Sequence, residues 1–541
     1  MASYQTHLSL LRETASLDPS APAFRVPQLD HVSNEIRTWE VITYSQFEAQ
    51  VNYSARYWAR ILAIDGILPQ SVVGVWLGGM TYFDVLHIYG LSRAGYIPQL
   101  FSLCLSNPDV IYELLQKSKG KAIIYDSSFH SLLCHSPVPT HAAVDVDCLD
   151  VEDTPLPSHT AKHRGDDTVM IFHTSGSTSG CPKLVSCSYA WWDTIISKAG
   201  QVMKPVSHEK HRQDVAVWMG SMCHIGQNFM LLGALQHASC MIQSTQQAFS
   251  SEELVDMIDR CNLTRINQFP TYLGIHLRNS RRDPKLLSHL QALDVIFVSG
   301  LKLSPEDEEW VQRSGLKLMD CYGSTECGAM MISTPGASGA ARQVLRPIAG
   351  MAYSFAPVIS SVQVETGYWN PNSPLLEMII LGESPDCPDR SLRSADGNYH
   401  TGDLFSEVSP GCYVFRGRDD DWIKTENSLR CDTKAIEDNV RTSCAHLVAD
   451  CVVVGNGRPS PTLLVEPAAG VDHEVMKKEI IRKTRHFHSR RYIHERITSS
   501  HYILVVPPGS LPRTATKGNI RRRAVEQAFK ADLDRIYRVA Y

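Results

Sequence analysis

Apolar positions along this chain fall into short β-branched runs separated by longer stretches with helical spacing. Val72–Leu77, Lys121–Tyr125, Val169–His173, Asp214–Met219, Ser239–Gln243, Arg265–Gln268, Val295–Val298 and Lys317–Asp320 read as strands. Amphipathic segments such as Ser251–Arg260 and Pro284–Leu293 lie between several of them and read as helices. Strands alternating with helices build βαβ units, so the expected fold class is α/β, with mainly parallel sheets flanked by helices. One stretch, Ser71–Leu91, is apolar enough to raise a membrane span. Asp84, His87 and the Gly78-Gly79 pair argue instead for a buried strand, Val72–Leu77, followed by a core helix.

After about Gly350 the pattern changes. Gly367, Pro371, Pro374, Gly382, Pro385, Pro388, Gly397 and Gly411 interrupt short strands such as Leu375–Leu381 and Cys412–Phe415, the look of a β-rich subdomain over about 350–416. The polar run Arg416–Asp421 then precedes an α+β block that contains Cys451–Val454, Thr462–Val465, a long basic helix from Val475, and Tyr502–Val506. The reading is a large N-terminal domain over 1–418 and a small α+β C-terminal domain over 419–541.

Composition adds limits rather than new elements. A chain of 541 residues exceeds one compact core. With 52 Lys plus Arg against 57 Asp plus Glu, the formal net charge of -5 leaves no footprint for nucleic acid or an anionic membrane surface. The 15 cysteines form no CxxC pair and no zinc-finger spacing. The opening MASYQTHLSLLRETAS carries Arg12 and Glu13 without a sustained apolar core. Scattered thiols and no secretory signal point to a reducing compartment, and a cytoplasmic location is expected.

Four segments carry candidate chemistry. The strand Val169–His173 runs into Thr174-Ser175-Gly176-Ser177-Thr178-Ser179-Gly180-Cys181-Pro182-Lys183. Glycines let backbone N–H groups approach a phosphate, hydroxyls donate hydrogen bonds, and a lysine supplies charge. It is not a Walker loop, because no GK[ST] opens a helix, and alone it reads equally as a Ser/Gly-rich surface loop. Tyr322-Gly323-Ser324-Thr325-Glu326 follows a predicted strand, where parallel sheets place ligand sites; alone it reads better as a helix N-cap with Glu326 in the first turn. In Tyr399-His400-Thr401-Gly402-Asp403, an Asp after a tight Gly turn can accept two ribose hydroxyls, with Arg418 of Arg416–Asp421 near enough to help. Leu511–Arg521 reads alone as a turn before a basic helix.

The joint order of these segments is more telling than any one of them. TSGST…PK, YGSTE, YHTGD, GRxDDxIK and PRT…KG, in that sequence, resemble the adenylate-forming superfamily of acyl-CoA synthetases, nonribosomal peptide synthetase adenylation domains and beetle luciferases. The resemblance covers nearly the whole chain, beginning weakly at Thr43-Tyr44 and at Leu91–Pro98, which is similar to that family's LxAGxxxxP element.

The resemblance implies ATP-dependent activation of a small carboxylic acid to an acyl-adenylate, then transfer to a thiol. Carried over, Thr174, Ser175, Gly176, Ser177, Thr178 and Lys183 contact the triphosphate. Tyr322, Gly323 and Ser324 flank the nucleotide, Thr325 binds the α-phosphate, and Glu326 holds Mg²⁺. Asp403 takes the ribose hydroxyls with Arg418 assisting. Asp420 is the hinge of a mobile C-terminal domain, Lys424 serves thiolation, and Lys517 bridges carboxylate, α-phosphate and ribose. His224, Ser299, Gly300, Leu301 and Gly328 through Met330 and Met331 line the acyl pocket. Its apolar residues, with no Asp placed for an α-amino group, favour an aromatic or aliphatic acid.

Three departures from the family pattern stand out. The phosphate loop is one residue longer than TSG[ST]TGxPK, at Ser179 or Gly180. Asn427 replaces a glycine, and the terminal motif reads Lys517-Gly518, an order that resembles adenylation domains of fungal reductase- and thioesterase-linked synthetases. CoA is the acceptor expected first, with the basic stretch Arg482–Arg491 near its phosphates or simply a solvated helix face. The alternatives are a carrier-protein phosphopantetheine arm acting in trans, and a non-catalytic nucleotide binder.

Overall fold

A computed structural model describes residues 4–30, 32–103, 105, 107–145, 151, 153–157, 163–174, 183–206, 212–300, 303–336, 344–358, 375–418, 422–424, 430–489, 495–513 and 519–538. The chain forms two compact units. One comprises Met1–Thr174, Pro182–Tyr353 and Ile380–Tyr399; the other comprises Ser175–Cys181, Ser354–Ile379 and His400–Tyr541. Residues 400–418 thus cluster with the C-terminal block.

The first unit is built on two sheets. In the nine-stranded sheet, Leu318–Ser324, Val295–Ser299, Arg265–Gln268, Val215–Val217, Cys240–Ile242 and Pro22–Leu29 run parallel in that spatial order. Antiparallel strands Gly328–Ile332, Arg346–Pro347 and Ile36–Thr43 close its two edges. The six-stranded sheet orders Thr140–Ala142, Ala122–Tyr125, Val72–Trp76, Ile97–Phe101 and Thr168–Thr174 in parallel, with Lys183–Ser188 antiparallel at the end. The α/β reading holds. Every predicted strand of this region exists within a few residues, because β-branched runs buried on both faces carry the clearest signal.

The apolar stretch near residue 80 resolves as strand Val72–Trp76 and helix Tyr82–Arg93. Asp84, the residue that argued against a membrane, caps that helix: its Oδ2 accepts from the N–H of Met80 at 3.0 Å and of Thr81 at 3.1 Å. Among the described residues no helix is long and apolar enough to cross a membrane.

The second unit holds most of a four-stranded sheet of Tyr353–Pro357, Leu376–Ile380, Tyr399–Ser409 and Cys412–Arg418, and a C-terminal sheet of Val448–Val454, Thr462–Pro467 and Ile503–Val505. Helices Thr433–Ser443 and His473–Ser489 supply Ile436, Val440, Met476 and Ile480 to the core beneath the C-terminal sheet.

Candidate active site

The C-terminal ends of the parallel strands in the first unit carry most of the candidate residues, the edge at which open α/β sheets bind ligands. Ser221–Cys223, just beyond strand Val215–Val217, stitches the nine-stranded sheet to the six-stranded one. Met222 N–H donates to the Gly79 carbonyl at 2.8 Å, Ser221 Oγ to the Gly78 carbonyl at 2.7 Å, and Cys223 Sγ to the Phe101 carbonyl at 3.1 Å. This junction requires glycine at 79: its φ is +68°, and a Cβ there would lie 2.4 Å from Ser221 Oγ. His224 follows at once, exposed, at the N-terminus of helix Ile225–Gln236. It is therefore not a core histidine.

Tyr322-Gly323-Ser324 forms the last part of strand Leu318–Ser324, which runs four residues past the expected end at Asp320, and no helix follows directly. Thr325, Glu326 and Cys327 make a tight turn into antiparallel strand Gly328–Ile332, with Ser324 opposite Gly328 and Tyr322 opposite Met331. The N-cap alternative is thus excluded. Ser324 Oγ accepts from Cys327 N–H within the turn at 3.3 Å, and both Thr325 and Glu326 remain half-buried. Gly323 is obligatory, since a Cβ would stand 2.6 Å from the Gly328 carbonyl. Ser299 pairs in register with Cys321, which sets Ser299 and Gly300 beside Tyr322. Met330 and Met331 are both fully buried, but successive strand residues face opposite sides. Leu301 lies outside the described residues.

Thr174 and Lys183 stand opposite each other at the open end of the hairpin pair Thr168–Thr174 and Lys183–Ser188. Lys183 is exposed. Ser175, Gly176, Ser177 and Thr178 lie outside the described residues. His173, at the loop's entrance, points inward instead: its ring stacks on Phe101 at 4.7 Å, Nδ1–H donates to the Leu100 carbonyl at 2.9 Å, and Nε2 accepts from Gln99 Nε2 at 3.0 Å. Both ring nitrogens are used by a neutral imidazole, and burial pushes its pKa down to about 4.

His87 and His276 are likewise pushed down to about 4 by burial. A histidine whose folded pKa lies below its ordinary value near 6.5 contributes stability above that value, which is lost as pH falls toward 4. Each of the three is worth up to about 3 kcal/mol. Thermal unfolding midpoints are expected to drop between pH 6.5 and 4; a level midpoint across that window would show that these imidazoles titrate normally.

In the second unit, Asp403 and Arg418 sit directly opposite on antiparallel strands, with Arg418 Nη1 3.3 Å from Asp403 Oδ1. The tight Gly turn expected before Asp403 is instead the interior of strand Tyr399–Ser409. Thr401 Oγ holds the backbone there, donating to the Met378 carbonyl at 2.7 Å and accepting from Asp403 N–H at 3.0 Å. Lys424 ends strand Trp422–Lys424, paired with Arg430. Asp420 and Lys517 lie outside the described residues. The flanks of the Lys517 segment are fixed: Arg513 pairs with Ile520, and its guanidinium reaches Asp450 at 2.7 Å and Glu466 at 2.9 Å.

Sequence reasoning missed one buried group. Lys198, on helix Tyr189–Val202, is fully buried against Asp386 at 2.7 Å and donates to the Cys327 carbonyl at 2.7 Å. A lysine amid the helix's apolar Ile195, Ile196 and Ala199 was the only available signal.

Comparison with known proteins agrees with this architecture. Residues 11–358 match the model of the AMP-binding enzyme family, and residues 420–540 match the AMP-binding enzyme C-terminal domain. The chain belongs to the AMP-binding enzyme family. It is 35% identical over 519 residues to the AMP-binding domain-containing enzyme iboA of Amanita muscaria (strain Koide BX008), covering 94% of this chain and 98% of that one. It is 22% identical to a carboxylic acid reductase of Neurospora crassa across 98% of this chain, but spans only 50% of that relative's length. The fold is shared with O-succinylbenzoate coenzyme A synthetase (MenE) from Bacillus subtilis in complex with AMP, at a TM-score of 0.73, 18% identity and coverage of 97% and 98%. It is also shared with the anthranilate CoA ligase AuaEII in complex with anthranoyl-AMP, at 0.69, 18% identity and 99% of each chain.

Proposed function

We propose that this protein activates a small carboxylic acid with ATP and Mg²⁺ and passes the acyl group to a thiol, CoA in the first instance. The observation that carries this reading is the Thr325–Glu326 turn, set at the C-terminal edge of a parallel sheet by strand pairing on both sides. In this reading residues 1–418 bind ATP and acid, and residues 419–541 rotate about Asp420 between two half-reactions.

The carboxylate nucleophile is already ionised near neutral pH and needs no general base. Its attack on the α-phosphorus forms the acyl–phosphate bond, breaks the bond to pyrophosphate and gathers negative charge at phosphorus. Thr325 donates a hydrogen bond to an α-phosphate oxygen, and the Lys517 ammonium faces the developing charge. Thr174 to Thr178 and Lys183 hold the β- and γ-phosphates, while Asp403 and Arg418 hold the ribose. Glu326 offers one half-buried carboxylate, which fits magnesium arriving on nucleotide phosphates, because that ion takes one or two carboxylates and keeps the rest of its shell for phosphate and water. Bound there, magnesium neutralises phosphate charge. In the second half-reaction a thiol adds to the acyl carbon and AMP leaves, with Lys424 serving that conformation. His224, Ser299, Gly300, Leu301, Gly328 and Met330 shape the acyl pocket for an aromatic or aliphatic acid.

A second acceptor, a carrier-protein phosphopantetheine arm, is favoured by the Lys517-Gly518 order and by likeness to the longer reductase. ATP–pyrophosphate exchange over a panel of carboxylic acids tests the first half-reaction: acid-dependent exchange is expected, and none from folded protein would refute the reading. Adding CoA and weighing the product then separates the acceptors, with acyl-CoA expected.

A further inference from the structure

Lys198 and Asp386 form an ion pair with no solvent exposure on either side chain. Burying two charges is expensive, and a well-packed apolar pair of similar volume serves stability at least as well. The network around this pair is correspondingly complete. Asp386 Oδ1 accepts from Ser384 Oγ at 2.6 Å, Oδ2 accepts from the Tyr353 hydroxyl as well as Lys198, and its backbone carbonyl accepts from Trp191 Nε1 at 3.1 Å. The ammonium's other contact is the functional clue: it donates to the carbonyl of Cys327, the residue directly after Glu326.

The same helix holds the turn a second time. Gly328, at φ +66°, brings its backbone so near Ile195 that a Cβ would lie 2.6 Å from Ile195 Cδ1. Ile195 and Lys198 are three residues apart on helix Tyr189–Val202 and share a face. That helix begins directly after strand Lys183–Ser188, with Ser188 Oγ capping Trp191 N–H at 3.3 Å. One rigid element therefore ties the strand that presents Lys183 to the turn that presents Thr325 and Glu326.

We propose that Lys198, held by Asp386 and Tyr353, is a positioning residue that fixes the Thr325–Glu326 turn relative to the Lys183 strand. It touches neither substrate nor metal. It sets the carboxylate at the distance from the phosphates that a shared magnesium ion requires. The inference rests on the acid-activating reading above.

The test is the paired variant Lys198→Met with Asp386→Asn, which removes both charges and leaves no buried ion uncompensated. The variant is expected to melt close to the wild type and to keep the KM for the acid. Its kcat for ATP–pyrophosphate exchange is expected to fall about 10²-fold. The magnesium concentration for half-maximal rate is expected to rise about tenfold, as when a group supporting a metal ligand is removed. A folded variant with wild-type kcat and magnesium dependence would overturn the inference alone, whereas a wild type without acid-dependent exchange would take down the functional reading and this with it. Should the pair fail to fold, Tyr353→Phe decides: about a threefold rise in magnesium requirement is expected for one lost hydrogen bond, and none would overturn the proposal.

Discussion

Lys517→Ala is expected to cut ATP–pyrophosphate exchange about 10²- to 10³-fold while sparing thioester formation from a supplied acyl-adenylate. In the proposed reaction the ammonium acts where carboxylate and α-phosphate, two anions, are pressed together, and nothing comparable develops when a thiol displaces AMP. The second step then proceeds without it. The neighbouring architecture makes the substitution a clean one. Arg513 and Ile520 pair on either side of the segment, Arg521 N–H donates to the Pro512 carbonyl at 2.8 Å, and Arg513 is locked onto Asp450 and Glu466. Losing one side chain between those anchors leaves the C-terminal sheet in place. Comparable losses in both half-reactions would refute the assignment of Lys517.

Asp403→Ala is expected to raise the KM for ATP by about two orders of magnitude or more. A carboxylate accepting from two ribose hydroxyls makes two charge-assisted bonds, each worth roughly 1.5–3 kcal/mol. The fold should tolerate the change, because the Arg418 partner is 41% exposed and such a pair contributes at most about 1 kcal/mol. Steady-state kinetics at saturating acid, with melting as the control, separates binding from folding. An ATP KM within threefold of the wild type would show that Asp403 does not carry the ribose.

How much of this was legible beforehand depends on the kind of residue. Runs such as Val295–Val298 and Arg265–Gln268 appeared as strands because their central positions are buried on both sides of a sheet. Strands Lys183–Ser188 and Gly328–Ile332 were not predicted. The first is a polar KLVSCS hairpin arm, and the second a GAMMI segment whose methionines have no strong β preference. Missing that second strand is what left Glu326 readable as the start of a helix. Motif order puts Asp403 and Arg418 together as expected ribose ligands, and cross-strand register makes them neighbours: residues far apart in sequence meet when a tight hairpin joins their strands. Lys198 had no such route. Its meaning depends on Asp386 and Cys327, brought to it by two other chain segments, and no local pattern announces that.

The hairpin register at Thr174 and Lys183 also bears on how loop length can vary. Strand pairing beyond the loop resists slippage, since a shift of one residue would turn buried Val185 and Cys187 outward. An added residue must then be absorbed between the paired ends. Lengthening a loop of this size by one residue changes its closure entropy by only about 0.1 kcal/mol. The extra Ser179 or Gly180 therefore costs folding almost nothing, and under the proposed function its length is free to be set by what the loop binds.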